Sequence, residues 1–303
     1  MNKSRILAGL MAVLLCSISH GERMAPPKRD FRTNPPGKFL APGYYIPNVF
    51  DASVVSISCS DGYRLSADSI GRKRTRQLMP SIIFLHESGK DRHSWYPMTV
   101  QLAGRGYNIL SVDLRGCGEN PVMNKEPGKT LDKLAEGDLL KMVEDVHSIL
   151  NHLELNTMAD PESIAIIGSG LGANLAIIAA AEPWAGKVRT VIAISPSLID
   201  HGFSTIEPAK KLGRKLACLA ASRGDTSTHG AATELYRILA GPKEFFDAEG
   251  DASGVAMFGS RSAVQKDGNG EPIVFFSAIF PILERGLHSK TSRISAPGRP
   301  GKN

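Results

Sequence analysis

The sequence predicts an α/β fold: a mostly parallel central sheet of about eight strands with helices on both faces. Three observations carry this. Short runs at residues 81–86, 163–167 and 188–194 are dominated by consecutive apolar residues rather than alternating, as strands buried on both faces are. Helical stretches separate them, the βαβ rhythm of a parallel sheet. Residues 54–59 do alternate, and Asp61-Gly62 turns them into residues 63–67. This is a hairpin that makes the sheet mixed.

The elements follow in order. After the hairpin and the strand at 81–86, a helix is expected over 93–103 and a strand over 107–114. A long helix spans 131–153, then come the strand at 163–167 and a helix over 171–181. The strand at 188–194 has a loop and short helix behind it. A strand over 215–220, a helix over 231–239 and a last short strand at 243–247 complete the sheet. A final helix falls within 272–287, where Pro281 is expected to kink or split it. No internal repeat is visible, so one domain is expected over 48–287.

The ends read differently. Lys3 and Arg5 precede an apolar run at 6–15, and Ser19 and Gly21 stand at −3 and −1 before Glu22. The run is shorter than the roughly 20 residues of a spanning helix. Residues 1–21 are therefore expected to be a signal peptide, giving a secreted or cell-envelope protein with no membrane span after its removal. A short anchor, or lipidation at Cys16 behind the bulky Leu15, is the weaker reading. Residues 22–47, rich in Pro and Gly, read as an extended basic arm outside the core, and 288–303 as a disordered basic tail.

Composition excludes several classes. With 42% hydrophobic residues in a chain of 303, disorder is excluded and a large core is available. The formal charge is +6; without Lys3 and Arg5 it is 34 basic against 30 acidic residues, or +4. The excess lies in the arm, the Arg72–Arg76 stretch and the tail. No aromatics interleave with the charges at 72–76, which argues against a nucleic-acid platform there. After signal removal Cys59, Cys117 and Cys218 remain. Three is odd, so at least one is unpaired or bonded to another chain. No His/Cys cluster has ligand spacing, so neither a metal nor another cofactor is expected.

In such a sheet, chemistry sits at the carboxyl ends of the strands. Four are informative: His86-Glu87-Ser88-Gly89, Asp113-Leu114-Arg115-Gly116-Cys117-Gly118, Gly168-Ser169-Gly170-Leu171-Gly172 and Gly224-Asp225-Thr226. In this order they resemble the α/β-hydrolase superfamily, and more closely exported esterases akin to dienelactone hydrolase. Residues 102–107 and 194–198 extend the resemblance, which runs from about Ser60 to Leu287.

The resemblance implies a nucleophile elbow G-x-S-x-G, with the serine held out at a sharp strand-to-helix turn. The flanking glycines match, but the serine position is Gly170. Glycine has no nucleophile and relieves the strain that another residue bears there. Ser169 is one residue early and is expected to point from the tip toward the sheet. Asp225 matches the family's acid, although an Asp there can equally cap the following helix. The histidine position, before Gly254, is Ser253, and serine is no general base near neutral pH. His201, His229 and His288 are the other histidines weighed, and Cys117 the alternative nucleophile. Oxyanion donors would be the N–H of Leu171 and that of Glu87 or Ser88. Glu87 stands where the family most often has glycine, and either orientation of its carboxylate is open.

Gly168-x-Gly170-x-x-Ala173 also satisfies the dinucleotide fingerprint, which would imply an oxidoreductase. The acid expected at the end of the next strand is missing at Ile194-Ser195-Pro196. The primary expectation is thus an exported hydrolase-fold protein with two triad positions lost, whose old pocket could hold an ester-like or acyl ligand. The second is a working hydrolase using Ser169 or a relocated histidine.

Overall fold

The computed structural model describes residues 37–41, 44–73, 78–119, 131, 136–155, 159–259 and 263–288. The signal segment, residues 22–36 of the arm, residues 74–76 of the basic stretch and the tail from 289 lie outside them. Strands β1 (Gly37–Ala41) and β2 (Tyr44–Pro47) pair antiparallel. This corrects the expectation of an arm outside the core. Ile46 is 2% exposed and joins Phe50 and Ala52 in a core cluster. The Pro and Gly count concealed the β-prone run Tyr44-Tyr45-Ile46.

The main sheet has eight strands: β3 (Phe50–Ser58), β4 (Arg64–Arg72), β5 (Met79–Leu85), β6 (Asn108–Val112), β7 (Ala159–Ser169), β8 (Val188–Ile194), β11 (Leu216–Ser222) and β12 (Lys243–Ala248). Two short hairpins, β9 (Ile199–Asp200) with β10 (Phe203–Ser204) and β13 (Val264–Lys266) with β14 (Pro272–Val274), lie outside it. The spatial order is β12-β11-β8-β7-β5-β6-β4-β3. Only the β3–β4 and β4–β6 pairings are antiparallel.

The apolar strands feed two cores by alternation. Ile83, Leu85, Ile164 and Ile166 face one cluster; Ile82, Phe84, Ala165 and Ile167 face the other. The first is closed by α2 (Glu136–Glu154), α3 (Leu171–Ala181) and α5 (Thr226–Ile238), through residues such as Val146, Leu175 and Leu235. Alongside them Ala209 of the short α4 (Ile206–Lys210) is buried. The second is closed by α1 (Tyr96–Gly104) and α6 (Phe275–His288), through Leu102 and Ile279. Each fully buried Leu or Ile contributes about 1.5–3 kcal/mol of transfer free energy.

One expectation needs correction. Pro281 does not split the last helix: α6 runs through it. Buried Ile279, Ile282 and Leu283 anchor the turns on both sides of the missing N–H. Ahead of this helix, which falls where it was expected, residues 264–274 form the β13–β14 hairpin, an element not expected from sequence. The side chain of Asp267 accepts the N–H groups of Asn269 and Glu271, both at 2.8 Å, and Gly270 takes φ 82°, which makes this a side-chain-stabilised turn.

Candidate active site

β7 ends at Ser169 and α3 begins at Leu171, so one residue makes the whole reversal. Gly170 does so with φ 52° and ψ −118°, a conformation that strains any side chain. Its N–H donates to the Ile194 carbonyl at 3.0 Å, and its carbonyl accepts from Ala173 and Asn174. The flanking glycines have a steric cause. A Cβ at Gly168 would stand 2.0 Å from the Gly172 carbonyl oxygen, and one at Gly172 would stand 2.2 Å from that of Leu85. The helix can sit this close to β5 and β7 only over glycine. The elbow is intact in backbone and carries no side chain at its tip.

Asp225 and Ser253 come together at the same sheet edge. Burial raises the Asp225 carboxyl, but hydrogen bonds from Ser253 and Thr228 outweigh it and hold the pKa below the ordinary carboxylate value. The same carboxylate caps α5, accepting the Thr228 N–H at 3.3 Å and its hydroxyl at 2.7 Å. The cap explains why α5 starts at Thr226, five residues ahead of expectation. Ser195, not singled out from sequence, ties this turn to the sheet. Its hydroxyl accepts the Gly254 N–H at 2.9 Å and lies 3.2 Å from that of Ser253. Its position directly after β8, at the carboxyl edge of the sheet, was the available signal.

The Glu87 carboxylate faces inward. It accepts the Ser169 hydroxyl at 2.6 Å. Ser169 is fully buried, and its hydroxyl reaches this carboxylate rather than turning into the sheet. His86 fixes the backbone beneath. Its Nε2 accepts the Leu114 N–H at 2.9 Å, so the ring proton is on Nδ1, which donates to the Glu87 carbonyl at 2.8 Å. Burial pushes the His86 pKa down, against the Glu87 carbonyl bond and the charges of Asp113, Asp91 and Glu87, so the ring is neutral. Ser88 is exposed in the turn that follows, and Leu171 opens α3, where the first N–H groups have no intrahelical acceptor.

The alternative players are held elsewhere. His229 Nε2 is 2.9 Å from Asp247, His201 Nδ1 is 2.6 Å from Asp200, and the His288 ring tilts against Tyr107. Burial pushes the Cys117 thiol up to about 11, and Asp113 and Asp91 push the same way. At neutral pH it is a thiol, not a thiolate nucleophile. Among the described residues no group of His, Cys, Asp and Glu could hold a metal ion, and no helix is long and apolar enough to cross a membrane. A cavity of about 460 Å³ opens between β12, the β13–β14 hairpin and α6, and none of the elbow residues lines it.

A glycine-packed elbow, an acid after β11 and a small-residue turn after β12 define the scaffold of a serine hydrolase. The chain belongs to the alpha/beta hydrolase family, whose model matches residues 82–280. The glycines of the dinucleotide-like match are thereby the packing glycines of the elbow. A search of the curated proteins found no match. Solved structures show the same fold. An acetyl xylan esterase from Paenibacillus sp. R4 superposes with a TM-score of 0.62 at 16% identity, covering 93% of this chain and 94% of that one. An esterase from Pyrococcus furiosus gives 0.61 at 21%, covering 84% and 100%. A dienelactone hydrolase from Anabaena variabilis gives 0.57 at 14%, covering 80% and 99%.

Proposed function

We propose that this chain is an exported, catalytically silent member of the family, descended from the esterase and dienelactone hydrolase branch. The observation that carries the reading is the bare elbow. Gly170 holds the nucleophile's backbone conformation with nothing to attack a carbonyl. Ser253, in contact with the acid where a histidine would stand, offers no base. An ester-like or acyl ligand entering the old pocket would bring its carbonyl oxygen toward the Glu87 carboxylate, which repels it. The proposed role is therefore not that of an ester receptor. Export rests on the pattern of residues 1–21, and recovery of a secreted chain starting at Glu22 tests it.

The 2.6 Å bond from Ser169 to Glu87 favours one second reading, a Ser–Glu pair acting as nucleophile and base. Its weakness is access, because Ser169 is fully buried. A fluorophosphonate probe and a p-nitrophenyl ester series decide between the two. The silent reading expects neither labelling nor turnover above buffer. Stoichiometric labelling that disappears in Ser169→Ala would overturn it.

A further inference from the structure

We propose that Glu87 is the residue that closes this site: its side chain fills the space between elbow and histidine turn that a nucleophile and an imidazole would share. The proposal deepens the reading of a silent centre and rests on it. Its geometry comes from two glycines. A Cβ at Gly170 would stand 3.0 Å from the Glu87 Cβ, so tight that the Glu87 side chain would have to give by a few tenths of an ångström. A Cβ at Gly254 would stand 1.7 Å from Glu87 Oε2 and 2.9 Å from Ser169 Oγ. The Glu87 side chain therefore starts beside the elbow tip and ends against the histidine turn.

The carboxylate is also held there. The Ser169 hydroxyl anchors its far end, and the neutral His86 ring holds its backbone carbonyl. A glycine at position 87 leaves this volume empty, whereas Glu87 occupies it with a charge of the sign that a developing oxyanion cannot approach. The loss of function then has three components rather than two: no nucleophile, no base, and an occupied centre. Restoring serine and histidine alone leaves the third in place.

A thiol placed at the elbow reads this directly, without any histidine. Gly170→Cys is prepared alone and together with Glu87→Gly, and alkylation by iodoacetamide is followed at position 170 by peptide mapping. The expected result is alkylation at least tenfold faster once the Glu87 side chain is gone. Failure of the single variant to fold, with recovery in the double variant, supports the proposal equally, since it shows the same competition for space. A rate change below tenfold, or failure to fold in both backgrounds, overturns it. Labelling of the unmodified protein at Ser169 by a serine probe would instead overturn the silent reading and leave the thiol comparison standing.

Discussion

Acidification should weaken this protein through His86 before its carboxylates begin to titrate. In the native chain the ring is fully buried, takes the Leu114 N–H on Nε2, and has its pKa driven down by burial. In the unfolded chain it titrates near 6.5. A group whose folded pKa is depressed contributes stability that is complete above the unfolded value and is lost as pH falls below it. While the native ring stays neutral, each pH unit below about 6.5 costs up to about 1.4 kcal/mol. Between pH 7 and pH 5 the loss comes to at most about 2 kcal/mol, reached when the native ring stays neutral throughout. Asp61, with a pKa lowered to about 2, and Asp225 and Asp247, also lowered, belong to a lower window, because unfolded carboxylates titrate near 4. His152 is shifted down by its own burial, so the measurement is made in a His152→Gln background. Urea denaturation from pH 7.5 to 5 should show the slope there, and His86→Gln should flatten it whatever its effect on absolute stability. An unchanged slope in His86→Gln, or flat stability down to pH 5, would refute the reasoning.

Other outcomes follow from the same geometry. Gly172→Ala should cost about 3 kcal/mol in urea denaturation, because the new Cβ meets a backbone carbonyl that cannot step aside. Gly186→Ala, with open space around it, should stay within about 0.5 kcal/mol and serves as control. Arg92→Met should destabilise by about 3–5 kcal/mol, since it leaves the fully buried Asp68 and Asp113 carboxylates without their cation. Cys117 should react with a disulfide reagent slowly at pH 7.5 and accelerate toward pH 11; a fast reaction at neutral pH would contradict its placement. Gly170→Ser with Ser253→His should remain inactive on p-nitrophenyl acetate, and adding Glu87→Gly should raise turnover at least tenfold. Equal rates for the two- and three-residue variants would remove Glu87 from the account.

The sheet was legible because burial on two faces writes itself into composition. The run Ile82-Ile83-Phe84-Leu85 has no polar gap, since alternate residues serve different cores. Helix α3 was legible to the residue, because Gly168, Gly170 and Gly172 mark the only places where its start can approach the sheet. The β13–β14 hairpin was not legible. Its turn depends on the Asp267 side chain accepting two N–H groups, and its strands of three residues are too short for periodicity to register. At the site, the sharp turn at Gly170 could be read because the glycines on either side of it mark where strand passes into helix. The orientation of Glu87 could not be read. It depends on space that two glycines far apart in sequence leave open, and on the buried Ser169 hydroxyl at the end of β7. Ser195 was overlooked for a related reason: its hydroxyl matters through the N–H of Gly254, a contact across 59 positions.

Asp225 has a second occupation. In the proposed reading the carboxylate is the position that would orient a histidine ring; as the first residue before α5 it also ties down the Thr228 N–H and hydroxyl. Removing such a cap costs about 1 kcal/mol, a loss felt by the folded chain with or without any reaction. Under the proposed reading, mutation could discard a nucleophile and a base without this penalty, and could not so discard the acid. On the proposed silent reading, an acid kept at this position is a record of helix architecture, and the last triad position to erode should be the one that folding also employs.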